Sequence, residues 1–109
     1  EQNIQVPGAP TPQVALVYRG EEAKTRALQI LSTLREAGLR ATMAYGDRSM
    51  RAQLRAADRD GVRLALLLGD DELATGQVTV REMQGDAPQE TVPQEGVADV
   101  LARRLGHGA

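Results

Sequence analysis

Residues 14–69 read VALVYRGEEAKTRALQILSTLREAGLRATMAYGDRSMRAQLRAADRDGVRLALLLG, and this stretch decides the fold. It opens with Val14-Ala-Leu-Val-Tyr18, an unbroken apolar run of the length of a strand buried on both faces. Gly20 interrupts the run, and Glu21 and Glu22 follow where a helix start favours negative charge. Ala23, Ala27, Ile30, Leu31 and Leu34 then recur at steps of 4, 3, 1 and 3, which is one face of an amphipathic helix. Arg35 falls in the last turn, and Gly38 supplies the left-handed position that ends it. Ala41-Thr-Met-Ala-Tyr45 reads as a second strand, Gly46-Asp47-Arg48 as a loop, and Ser49 as the cap of a second helix. Met50, Leu54 and Ala57 form the apolar stripe of that helix, which closes at Asp60-Gly61. Val62 to Leu68 contains a third buried strand, ending at Gly69-Asp70-Asp71. Strand, helix, strand, helix, strand with short connections makes two βαβ units, so the three strands are expected to be parallel.

Beyond this stretch the pattern changes. Gln77-Val-Thr-Val-Arg81 alternates polar and apolar, as a strand with one exposed face does. Gly85-Asp86 marks a turn, and Gln89 to Val92 reads as a short strand. The segment at 77–82 is linked by turns and has no room for another crossover, so it is expected to run antiparallel to a neighbour. Glu95 to Leu105 carries Val97, Val100, Leu101 and Leu105 on one helical face. The expected class is α/β, with five strands and three helices. Leu16, Ile30, Leu31, Leu34, Leu54, Leu66 and Leu101 are the expected core. Residues 1–13 hold Pro7, Pro10 and Pro12 without apolar periodicity and read as a linker, which suggests a larger protein before it. The domain is then 14–105, with 106–109 as a tail.

Composition excludes several kinds of function. A chain of 109 residues, 41% of them hydrophobic, fits one folded domain. There are no cysteines, so disulfide scaffolds, thiolate metal sites and cysteine nucleophiles are excluded, and a reducing compartment fits. The single histidine, His107, lies in the tail and cannot build a multi-histidine metal site. No base, nucleophile and orienting group occur together, so no catalytic residue is assigned. No apolar run approaches the roughly 18 residues of a membrane span. The net charge of −2 rules out a strongly basic nucleic-acid binder but not a local basic patch. Lys24 is the only lysine beside 12 arginines. That bias suits bidentate phosphate recognition, and a GC-rich genome produces it equally well. Tyr18 and Tyr45 are the only aromatics, too few for a stacking platform.

Three constellations bear on chemistry. Asp70, Asp71 and Glu72 follow a buried strand, where open α/β sheets place ligands. No second acidic cluster completes a metal site, and a solvated acidic turn is the simpler reading. Gly20 leads into a helix start, but Glu21 and Glu22 would repel a phosphate there, and no phosphate-loop motif occurs. Arg48, Arg51, Arg55 and Arg59 are spaced 3, 4 and 4, so they line up along the second helix. Such a stripe can follow a phosphate backbone. The alternative is an arginine-rich solvated face, partly neutralised by Asp47, Asp58 and Asp60.

Tyr45-Gly-Asp-Arg-Ser-Met-Arg-Ala-Gln-Leu-Arg-Ala-Ala-Asp58 resembles the second strand, loop and helix of the C-terminal anticodon-binding domain of histidyl-tRNA synthetases. Leu68-Gly-Asp-Asp-Glu-Leu73 and Gly76-Gln-Val-Thr-Val-Arg81 are similar to that family's next segments. The first helix, with Glu21-Glu22 and its Arg35-Glu-Ala-Gly38 ending, fits as well, so the resemblance covers about 14–105. Threonyl, prolyl and glycyl synthetase domains share the architecture, but the Arg48-Ser49 and Gln53-Leu54 pairs favour the histidyl branch. Family members often carry two lysines where this chain has Arg51 and Ala52, so one basic side chain is missing.

The resemblance implies a three-layer α/β/α arrangement around a five-stranded mixed sheet, and a cytoplasmic protein. It implies a module that grips the anticodon stem-loop of histidine tRNA while a separate catalytic domain charges the acceptor end. The class II signature motifs have no counterpart in this sequence, so ATP and histidine would bind that other domain and this chain carries no cofactor. Arg48, Arg51 and Arg55 would supply positive charge toward phosphates, and the exposed strand face would offer Gln77, Thr79 and Arg81 to the loop, with the residues that touch a base left open. The alternative is a free-standing or appended interaction module of synthetase-like fold that no longer charges tRNA, which the net charge and the missing lysine mildly favour.

Overall fold

The computed structural model describes residues 12–43, 49–83 and 89–105. Five strands form one sheet: β1 (Val14–Tyr18), β2 (Ala41–Met43), β3 (Leu64–Leu68), β4 (Gln77–Glu82) and β5 (Glu90–Pro93). Four helices accompany them: α1 (Glu21–Glu36), α2 (Met50–Arg59), α3 (Asp70–Thr75) and α4 (Val97–Arg104). The strand order is β2-β1-β3-β4-β5. β1 is parallel to β2 and β3, while β4 is antiparallel to both β3 and β5. The sheet is therefore mixed, with the two crossovers building its parallel part and a hairpin its antiparallel part.

The unbroken apolar runs sit where the sheet is covered on both faces. All five residues of β1 are buried, and four of five in β3. One face carries Val14, Leu16, Tyr18, Leu64, Leu66, Leu68, Val78 and Val80, packed beneath α1 and α4. α1 presents Ala23, Ala27, Ile30, Leu31 and Leu34 to it, the periodic face read from the sequence, and α4 adds Val97 and Leu101. α1 ends at Gly38, whose φ of 88° lets the Leu39 N–H return to the Leu34 carbonyl at 3.0 Å. A residue with a Cβ is strained in that left-handed region. The other face holds a smaller cluster of Ala15, Ala57, Val62 and Met83 under α2. Helices on both faces give the three layers.

Two expectations need correction. The sheet has four helices beside it, not three. The acidic residues after β3 form α3, in which the Glu72 side chain accepts from the Gly69 N–H at 2.9 Å and so caps the first turn. Gly76, at φ 69°, ends the helix and turns the chain into β4. The second correction concerns Leu54, which is half-buried rather than core. α2 is rotated so that Gln53 and Ala57 point inward. A small alanine lets the helix approach the sheet, and the glutamine can be buried because its amide finds partners in the backbone. The other six expected core leucines and isoleucine, from Leu16 to Leu101, are buried. The C-terminal part of the second expected strand, Ala44 and Tyr45, lies outside the described residues, as do most of the linker and the tail.

Candidate nucleic-acid interface

On the α2 face of the sheet, Val17 and Leu67 share a side with the small residues Ala15 and Ala65. Across that face, Thr42, Ala15, Ala65 and Arg81 stand in register on four successive strands. The two alanines keep this row low, and Ala57 of α2 seats against Ala15. Toward β4 the helix no longer covers the sheet. A groove of about 550 Å³ opens there, lined by Arg51, Leu54, Arg55 and Asp58 from α2 and by Arg81 and Met83 from the β4 side.

Each wall follows from local sequence. α2 starts at Ser49, whose Oγ accepts from the Ala52 N–H at 3.1 Å, as expected of an N-cap. That bond sets where the helix begins. Arg51, Arg55 and Arg59 are exposed, with Leu54 half-buried beside them. On β4 the alternation carries Arg81 outward while Val78 and Val80 enter the main core. Met83, two residues further on, continues the same phase and packs against the α2 cluster. The groove thus has an apolar floor, three guanidinium groups and one carboxylate.

Those charges are not spent inside the fold. The two ion pairs among the described residues both belong to Arg104 of α4, with Glu82 at 2.9 Å and Glu90 at 2.8 Å. Neither lies in the groove. Arginines held close without internal ion pairs produce a positive field, which favours a polyanion. Leu54 and Met83 give a flat apolar body, such as a base, something to lie on.

The expected site residues separate into groups. Arg51, Arg55 and Arg81 come together in the groove. Gln77 and Thr79 share a strand face with Arg81 but do not line it. Thr79 is buried, not exposed, because its hydroxyl donates to Glu72 Oε2 at 2.7 Å. Gln77 is half-buried, and its carbonyl accepts from Gln94 Nε2 at 2.9 Å. Arg48 lies outside the described residues. The sequence reading missed Met83 and the wall position of Leu54. Extending the strand alternation from Arg81 by one step would have found Met83. Asp58 entered that reading only as a neutralising charge.

Burial pushes the Glu72 carboxyl up, but the Thr79 hydroxyl, the Gly69 N–H and its own N–H pull it down. The balance leaves it below the usual glutamate range. Asp70, Asp71 and Glu72 therefore serve the start of α3. Among the described residues no group of three or more metal-ligating side chains is placed to hold an ion. No helix among them is long and apolar enough to cross a membrane.

Comparison with known proteins agrees with the fold. The family model described as "Anticodon binding domain" matches residues 13–104. The histidine–tRNA ligase of Corynebacterium kroppenstedtii is 42% identical over 89 residues, covering 82% of this chain and 21% of that protein. That of Rhodococcus opacus is 46% identical over 85 residues, covering 77% and 19%. The chain thus spans about a fifth of the length of these curated relatives. The crystal structure of histidyl-tRNA synthetase from Nostoc sp. PCC 7120 superposes with a TM-score of 0.80 at 29% identity, over 88% of this chain and 23% of that one. The RNA binding domain of threonyl-tRNA synthetase from Cryptosporidium parvum superposes at 0.78 over 85% of this chain and 23% of that one, but at 17% identity that likeness concerns the fold alone.

Proposed function

This chain belongs to the anticodon binding domain family, and we propose that it recognises the anticodon stem-loop of histidine tRNA through the groove between α2 and β4. The observation that carries this reading is the grouping of Arg51, Arg55 and Arg81 around Leu54 and Met83. Arg51 and Arg55, one helical turn apart, suit two phosphates of a single strand. Arg81 stands across the groove, where a planar guanidinium can stack on a base or form a fork of hydrogen bonds to its edge. With few aromatics in the chain, recognition rests on such contacts. The histidine identity of the tRNA is supported by the names of the relatives. In their length, about four times that of this chain, lies room for a catalytic domain. Our reading gives that separate domain the charging reaction and gives this one the positioning of the tRNA.

The test is binding of a fluorescent histidine-tRNA anticodon stem-loop at several salt concentrations. Each phosphate neutralised on a single strand contributes about 0.7 to the slope of log affinity against log salt. Arg55→Ala is expected to weaken binding to all stem-loops alike and to lower the slope by about that amount. Arg81→Ala is expected to act more on the matched loop, by about 1–3 kcal/mol on the scale of base-edge readout. Absence of binding to any stem-loop at low salt would remove this reading and favour an interaction module.

A further inference from the structure

Gln53 is buried within an otherwise thinly attached helix. Of the ten residues of α2, only Gln53 and Ala57 are buried, whereas α1 buries five. The apolar grip of α2 on the sheet is the small cluster of Ala15, Ala57, Val62 and Met83. Apolar contact is non-directional, so a cluster this small does little to fix the rotation of the helix or its position along its axis. Gln53 supplies the direction. Its Oε1 accepts from the Tyr18 N–H at 3.0 Å, and its Nε2 donates to the Tyr18 carbonyl at 2.8 Å.

The location of this pair matters. The next residue, Arg19, donates its N–H to the Leu68 carbonyl on the β3 side. Tyr18, in the opposite phase, therefore presents its N–H and carbonyl to the other edge of β1. There one amide side chain provides the acceptor and the donor that an adjoining strand would provide. A two-point attachment fixes both rotation about the helix axis and position along it. Arg51 and Arg55 flank Gln53 by two residues on either side, so whatever orients Gln53 orients them.

We propose that Gln53 is the positioning residue of the α2–β4 groove: its paired bonds to Tyr18 hold α2 in the register that sets Arg51 and Arg55 opposite Arg81. The functional part rests on the proposed RNA reading, while the positioning part stands on the two bonds alone.

The experiment compares the full chain with Gln53→Met, which keeps side-chain length and removes both bonds, and with Val97→Ala, which loosens α4 in the opposite layer. Amide hydrogen exchange is read first. In Gln53→Met the amides of α2 and of Tyr18 are expected to exchange about tenfold faster, with those of Leu16 and Leu66 unchanged. Unchanged α2 exchange would overturn the proposal. If Gln53→Met does not fold, the unaltered protein decides. There the Tyr18 amide is expected to open together with α2, and a Tyr18 amide as protected as that of Leu16 would overturn the proposal. Stem-loop affinity is read second. Gln53→Met is expected to lose about threefold to tenfold with a lower salt slope, beyond any loss in Val97→Ala. Equal losses at an unchanged slope would mean general destabilisation and would overturn it. If the unaltered chain binds no stem-loop, the RNA reading fails, and the exchange result still decides what Gln53 does.

Discussion

Glu72 ties the end of β3 to the middle of β4 through one carboxylate. One oxygen accepts from the Gly69 N–H, the other from the Thr79 hydroxyl. Since its carboxyl lies below the ordinary range in the fold, it stabilises the protein above the unfolded value, about 4.3, and that contribution fades as pH falls through the lower folded value. At pH 7, Glu72→Gln should lower the stability measured by urea unfolding by about 1 kcal/mol, the scale of one hydrogen bond. The difference from the unaltered chain should begin to shrink as pH falls below the ordinary glutamate value, and the charge contribution is gone once Glu72 is protonated in the fold as well. A difference that stays constant from pH 7 to pH 3 would assign the effect to shape rather than to charge. The sequence displayed Asp70-Asp71-Glu72 plainly, but a partner seven residues away in an antiparallel return is invisible to a local reading. For the same reason Thr79 looked exposed, since strand alternation tells which face a residue occupies but not what covers it.

Among the elements, α1 and α2 mark what periodicity can and cannot convey. α1 has an apolar stripe strong enough to fix its rotation, and every residue read as inward is buried. α2 has alanines, two larger apolar residues and a glutamine, and its rotation depends on Gln53 meeting the backbone of Tyr18. A polar residue at the centre of a buried face contradicts the pattern unless its partner is known. The arginine spacing was nevertheless legible, because charges four apart share a face whatever the exact rotation. The difference is measurable by unfolding. Leu34→Ala should cost roughly 2–5 kcal/mol, the range for a closely packed core leucine. Leu54→Ala, at the half-buried wall of the groove, should cost clearly less and should weaken stem-loop binding. Equal costs for the two would place Leu54 in the core after all.

At the scale of the whole molecule, the fold separates its larger core from the groove. The larger core lies under α1 and α4, where long apolar side chains fill the space. The α2 layer is thin, and its small residues leave the groove beside Arg81 open. Among the described residues the three arginines of the groove make no ion pair. Parallel pairing and the antiparallel return were legible from crossover lengths and from the shift to alternation at Gln77, whereas the strand order was not. The groove was not, because its walls, α2 up to Asp58 and the β4 side from Arg81, are separated by more than twenty residues of sequence and meet only in the fold. The most direct measurement is a backbone amide NMR titration of the chain with the histidine-tRNA anticodon stem-loop. Shifts that rise with added RNA at Arg51, Arg55, Arg81 and Met83, with α1 and α4 unmoved, are the predicted result. Shifts confined to the α1 and α4 layer, or none at low salt, would contradict the account.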